Sequence, residues 1–496
     1  MKQLVKILIC LAVLQNASCS KFLEEDPAGF ISPEKYYTTE LQVQAAVNGT
    51  YTGLDDIFST DIGVAVSPSF SLEYLTGYSY RLRPAANADN QFLRLDPIDP
   101  ANGYLENWWK AVYYPMENCN SVIDNLGRTT FLPESDKKKY LGEVYFLRAW
   151  YYFMGVRLFG DIPLKTTPTT DFNNVHIPKA KQAELYNQIV ADLKMAEQSG
   201  LPWTDASGHV SLGAVKSLLA KVYITMAGYP LRKGNTYYQL AYDKAREVIS
   251  SQQFSLFASY GDLRKNSLKN TGEHIFMLQR DLANAGNMLH FALMPFPDLP
   301  ITIQPAYGGA LAPRLEFYQS FNAADHRKGE QVFFFTEYPG FNNPTHIIPL
   351  PVPLIFKYWD EQAEQIGKTG QNFPYLRYAD VLLLCAEARA SLDGGSTTNT
   401  FAIDAWHQVH RRAFPGSVKP AQLHVNDVLK ERFWELCFEW HTWYDMLRTR
   451  KALNTTTGQI VDLLGYQAPN HVHPFSEKDL LLPVPLSEVQ KNPLLK

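Results

Sequence analysis

The sequence predicts a mainly α-helical fold of paired helices, interrupted by long irregular loops and a few short strands. Apolar residues recur at spacings of three and four over several long stretches. Alanines stand at regular places on two of these stretches, where they would let helices approach closely. Proline, glycine and asparagine gather in two blocks, 60–104 and 254–360, in which no helical period is sustained. With 496 residues, 46% of them hydrophobic and 19% charged, the chain can bury at least one large core.

The chain opens with a basic segment, Met1 to Lys6, an apolar run Ile7 to Leu14, and the small pair Ala17-Ser18. That order reads as an export signal over 1–18. The apolar run is too short to span a bilayer, and no later stretch reaches the roughly 20 apolar residues a span needs. Cys19 follows directly, where a bacterial lipoprotein carries its acylated cysteine, so residue 19 is the expected lipid anchor. Cys119, Cys385 and Cys437 lie in apolar helix-like stretches and read as buried thiols, since three scattered cysteines make no disulfide scaffold.

Thr39-Glu40-Leu41-Gln42 is a capping-box start for a helix near 39–54. Residues 60–104 read as a long surface loop carrying tyrosines. Two long helices are predicted at 105–126 and 136–159, the second apolar on nearly every face and therefore central. Helical patterns return at 181–199, 211–227 and 236–252, with Ala214, Ala220 and Ala227 on one and Ala241 and Ala245 on the next. Recurrence at roughly 30 to 40 residues indicates tetratricopeptide-like helix pairs. The stretch 254–360 reads as an irregular insertion with short strands such as 331–336. Helices resume at 375–392, 398–413 and 425–449, the last with one stripe of Leu429, Phe433, Leu436, Trp440, Trp443 and Leu447. The organisation expected is a leader over 1–18, an N-terminal helical region over 19–253 and a C-terminal region over 254–496 that includes the insertion.

Net charge is −4 with no lysine or arginine block, which removes the electrostatic footprint of a nucleic-acid binder. Glu435 and Glu439, one helical turn apart, are the one carboxylate pair that would suit glycosidase chemistry. They sit in a scaffold-like helix, and no enzymatic role is expected. His407 with His410, His441 with Asp445, and His471 with His473 have ligand-like spacing but no third partner, so no metal is expected. Gly367-Lys368-Thr369 lacks the first glycine of a phosphate loop, Gln362 standing in its place, and no cofactor is expected. Arg148, Arg377, Asp380, Glu387, Arg432, Glu435 and Asp445 are charges set among apolar residues, which survive burial only when paired.

What remains is recognition. A sugar ring offers a C–H face to a flat aromatic and hydroxyls to planar polar groups. The chain has 28 tyrosines, 28 phenylalanines and 9 tryptophans, and those in irregular segments are the better candidates. They include Tyr74, Tyr338 and Trp359, and above all the ligand-binding set Tyr78, Tyr80, Arg81, Asn87, Asp89, Asn90 and Tyr307.

Several blocks, in order, resemble the SusD/RagB family of nutrient-binding surface lipoproteins. They are Phe22-Leu23-Glu24-Glu25-Asp26-Pro27 after the cysteine, Asn48-Gly49-Thr50-Tyr51, Trp109-Lys110-Ala111-Val112-Tyr113, and Glu143 to Ala149 with Phe159-Gly160-Asp161-Ile162-Pro163. Pro374-Tyr375-Leu376-Arg377-Tyr378-Ala379-Asp380 and Glu431-Arg432-Phe433-Trp434-Glu435 continue the series. The resemblance implies a surface lipoprotein of a Bacteroidetes-type outer membrane, capping a SusC-like TonB-dependent transporter and capturing oligosaccharide for import. It also favours the early loop and the insertion as the ligand surface. A peptide-capturing relative and a surface glycoside hydrolase are the alternatives.

Overall fold

In the computed structural model the described residues are 36–57, 67–287, 289–295, 299–302, 308–366 and 368–496. Helix Glu40–Gly49 starts as its capping box requires: Thr39 Oγ1 accepts from the Gln42 N–H at 3.3 Å, and the Gln42 side chain accepts from the Thr39 N–H at 3.1 Å. Helices Gly103–Arg128 and Glu134–Phe159 pack on each other, the second buried on almost every side from Gly142 onward, where its composition is most apolar.

From there each helix packs on the next, from Glu134–Phe159 through Gln182–Glu197 and Leu212–Ala227 to Asn235–Ser250. Small buried residues make this close approach possible. Ala214, Ala220, Ala241 and Ala245 are enclosed, and any side chain at Gly213 would strike Phe254. Asn235–Ser250 then packs against Tyr378–Leu392, which packs on Thr400–Ala413 and Val425–Glu435. The row of helices is therefore continuous in space although the chain leaves it after residue 250 and returns at 378. Strands His274–Leu278 and Phe373–Arg377, paired antiparallel, close the base of that excursion. Within it, Phe334–Gly340 and Asn343–Ile355 form a hairpin, which begins three residues later than the apolar run at 331 suggests. One cluster of buried apolar side chains runs from Val43 to Leu495.

Two expectations are corrected. The described part of 60–104 is not a surface loop: it contains helices Phe70–Leu75 and Asn87–Leu93, and residues 67–79 are all buried. The stretch 425–449 is two helices, Val425–Glu435 and Thr442–Thr449, separated by a turn in which Phe438 and Trp440 take left-handed φ of 60° and 59°. Outside partners hold this turn open. Lys357 Nζ donates to the carbonyls of Glu435 at 2.9 Å and Cys437 at 3.1 Å, Tyr358 Oη donates to the Phe438 carbonyl at 2.8 Å, and the Glu73 carboxyl accepts from the Trp440 N–H at 2.9 Å. These contacts satisfy backbone groups that a continuous helix would otherwise pair internally.

The charges set among apolar residues are buried and paired. Lys221, Arg432 and Arg448 face Asp380, Asp445 and Glu387 in one network. A second joins Arg377 and Arg412 to Glu273, Glu435 and Glu439, and extends through Arg327 to Asp325 and Glu431. Arg377 and Asp380, neighbours in one motif, thus belong to different networks. Cys119, Cys385 and Cys437 are free and buried.

Candidate functional site

Gly77 starts the local architecture of the early segment. Its φ of 74° turns the chain from helix Phe70–Leu75 into strand Ser79–Tyr80, and a side chain there would strike Ala468. The strand pairs antiparallel with Ala312–Pro313 of the insertion. The Leu82 and Arg83 N–H groups both donate to the Gly309 carbonyl, at 3.0 and 3.2 Å, and the Arg314 N–H donates to the Tyr78 carbonyl at 2.9 Å. Tyr74 Oη also donates to the Ala310 carbonyl. Backbone bonds thus join the two stretches singled out from the sequence, 234 positions apart at the Ser79–Pro313 pair.

The structure places each predicted residue that falls among those described. Tyr78 is 2% exposed; its hydroxyl accepts from the Leu453 N–H at 2.6 Å and its ring stacks on Phe317 at 5.0 Å. It is a packing residue with no open face, which corrects its assignment as a stacking platform. Arg81 and Asp89 pair with each other, their side chains 7% and 4% exposed. Asp89 further accepts from Tyr104 Oη at 2.5 Å and the Ala86 N–H at 3.1 Å. The two form an internal strut for the loop, and their assignment as ligand contacts is corrected likewise. Tyr74 and Trp359 are buried, and Tyr338 is half-buried with its hydroxyl accepting from Trp359 Nε1 at 2.9 Å.

Tyr80 is half-buried, with the Arg314 guanidinium 6.0 Å from its ring centre. Asn87 is exposed and Asn90 half-buried, on the helix that Asp89 caps. Tyr307 and Cys19 lie outside the described residues. Of the predicted set, Tyr80, Asn87 and Asn90 keep some exposure, and Tyr80 stands beside Arg314, which sequence reasoning missed and which pairs with Glu316 at 3.4 Å. Only the pairing of 312–313 with 79–80 brings Arg314 to Tyr80, and no local pattern announces it. Close to Gly77 lies His471, buried, with neither ring nitrogen hydrogen-bonded among the described residues. Burial and then the Arg314 charge push its pKa down to about 4, so the ring is neutral at pH 7.

The other candidate chemistries are occupied by packing. Glu435 and Glu439 are enclosed among arginines and Lys357. Burial alone would raise the Glu439 carboxyl, but Arg377 and Lys357 hold it at about 2. His407 bonds the Ser417 carbonyl at 3.1 Å, His410 bonds Glu431 at 2.8 Å, and His441 accepts from Lys221 at 2.9 Å. Among the described residues no group of three or more His, Cys, Asp or Glu side chains could hold a metal. Thr369 Oγ1 donates to Asp360 at 2.6 Å, and Gly367 is outside the described residues.

Comparison with known proteins gives two family matches. A model described as the SusD family matches residues 299–496, and one described as starch-binding associating with outer membrane matches 21–224. SusD-like protein P2 of Formosa agariphila is 27% identical over 535 residues, covering 98% of this chain and 97% of that one. The crystal structure of a SusD superfamily protein from Parabacteroides distasonis is 35% identical with a TM-score of 0.87, covering 92% of this chain and 98% of the other. A crystal structure with xylogluco-oligosaccharide, 22% identical, has a TM-score of 0.75 over 92% of this chain and 98% of its own.

Proposed function

Because the chain belongs to the SusD family, we propose that it is a cell-surface glycan-binding lipoprotein, anchored through Cys19 to the outer membrane, that captures oligosaccharide for a SusC-like TonB-dependent transporter. The observation that carries this reading is the clamp between 79–83 and 309–314, which sets the half-buried Tyr80 ring beside the Arg314 guanidinium on a backbone-bonded base. A partly open ring with planar polar groups around it suits a sugar's C–H face and its hydroxyls. The structure of a relative with xylogluco-oligosaccharide supports the ligand class. No helix among the described residues is long and apolar enough to cross a membrane; the attachment in this reading is an acyl chain on Cys19.

Calorimetry against a panel of neutral and acidic oligosaccharides, with peptide pools alongside, tests the reading. Tyr80→Ala should weaken binding of the recognised glycan by about 1–2 kcal/mol, and Tyr80→Phe by less. Capture of peptides with no glycan bound would transfer the function to peptide uptake, and release of reducing sugar would make the protein a hydrolase.

A further inference from the structure

An open cleft of about 1150 Å³ lies away from Tyr80, where the 3-10 helix Tyr260–Arg264, the helix Leu315–Ser320, the loop 323–332 and the end of Thr400–Ala413 meet. Its lining shares no residue with the Tyr80 surface. The charges in it are unequal. Asp325, its one carboxylate, is pinned by Arg327, and Arg412 is neutralised by Glu273 and Glu435. Arg264 and Lys328 have no ion-pair partner among the described residues. Lys328 Nζ donates to the Phe321 carbonyl at 2.9 Å and stands 4.9 Å from the Tyr318 ring centre. The Arg264 guanidinium rests 4.7 Å from the Phe356 ring centre. Burial lowers its pKa; Glu361 and Asp262 act on it only from beyond salt-bridge distance, and Asp262 pairs with Lys265. Gln331, on the same wall, holds a left-handed φ of 59°, a strain that collects at ligand sites.

We propose that this cleft is a second binding site, taking an anionic group, a carboxylate or a sulfate ester, carried on a saccharide chain. Arg264 offers a planar fork to two oxygens at once, Lys328 adds an ammonium whose remaining N–H donors carry no carboxylate, and the Tyr318 ring gives the adjoining sugar a face. The saccharide part rests on the glycan-binding reading above; the anion part rests on the unpaired cations alone.

The test is calorimetry on the full soluble chain with four probes: hexagalacturonate, a carrageenan-derived sulfated oligosaccharide, a neutral xyloglucan oligosaccharide, and inorganic sulfate. Expected is binding of one acidic oligosaccharide that falls about tenfold or more in Arg264→Gln/Lys328→Gln, and by less in Arg264→Lys, at unchanged melting temperature. Tyr80→Ala should leave that binding intact. The proposal is overturned if wild type binds neither acidic oligosaccharide, if the double variant keeps full affinity, or if the loss follows Tyr80→Ala instead. Sulfate binding as tightly as the sulfated oligosaccharide would remove the saccharide from the proposal. The neutral probe decides the Tyr80 site separately, since its binding should respond to Tyr80→Ala and not to the cleft variants.

Discussion

Arg148→Ala removes one end of an ion pair between the central helix Glu134–Phe159 and its neighbour Gln182–Glu197. The guanidinium grips Asp192 with two bonds of 2.8 and 2.7 Å and reaches Asn120 at 2.9 Å and the Thr166 carbonyl at 3.0 Å. The side chains of Arg148 and Asp192 are 5% and 3% exposed. Without Arg148, Asp192 keeps, among the described residues, only the Gln188 amide at 2.8 Å as a hydrogen-bond donor. An orphaned carboxylate at such burial costs about 3–5 kcal/mol. Replacing both ends, as Arg148→Met/Asp192→Leu, removes the orphan and leaves a loss of about 1–2 kcal/mol from the Asn120 and Thr166 contacts. Urea unfolding followed by circular dichroism measures the four corners of the cycle. A single-variant loss below about 1 kcal/mol, or a double variant as unstable as the summed singles, would refute the reasoning, because either result means the pair is not an isolated buried one.

Glu73 gives stability a pH dependence of unusual sign. Burial raises its carboxyl from 4.5 to about 7, against the Trp440 N–H and Lys357, which lower it. The folded state thus holds a proton the unfolded state has released, so this contribution is full below about pH 4.5 and is lost as pH rises to about 7. At about 1.4 kcal/mol per unit it amounts to about 3–4 kcal/mol, and Glu73→Gln should flatten the stability profile across that window; an unchanged slope would refute it. Gly77→Ala combines a strained φ with a clash against Ala468 and should cost about 2–4 kcal/mol in the same unfolding assay, whereas a wild-type value would mean that the 468–471 segment yields. Cys19→Ala should leave a folded protein that fractionates away from membranes and takes up no labelled palmitate.

The helices were legible because each buries one face, and a buried face writes its period into consecutive residues. Thr39 to Gln42 announced a cap, and Ala214 and Ala245 announced close packing, from local sequence alone. The break at 436–441 was not legible. The apolar stripe through Leu436 and Trp440 runs on unbroken, and the groups that interrupt the helix are Glu73, Lys357 and Tyr358, which belong to distant segments. The candidate site divides along the same line. Loop composition pointed to 74–90 and to the insertion, but could not tell Tyr80, with a partly open ring, from Tyr78, two residues before it and sealed against Phe317. Arg81 and Asp89 read as ligand contacts because polar residues in a loop look alike whether they face water or each other. Arg314 became relevant only once its strand was paired.

The ladder between His274–Leu278 and Phe373–Arg377 has a consequence for how such a protein can change over time. It joins the two ends of the excursion, and Arg377 at its edge is gripped by Glu273, Glu435 and Glu439. Whatever lies between the two strands starts and finishes at fixed points in the helical frame. For a flexible segment closed between fixed ends, doubling the length costs only about 0.6 kcal/mol. Within residues 279–372, however, Lys357, Tyr358, Arg327 and Ala312–Pro313 brace the frame, so the part that can be lengthened or rewritten with little cost to its stability is the exposed hairpin end at 342–347. The ladder works as a fixed collar, and a lineage facing a new nutrient could exchange the exposed hairpin end it carries while the bracing residues and the frame beneath stay as they are.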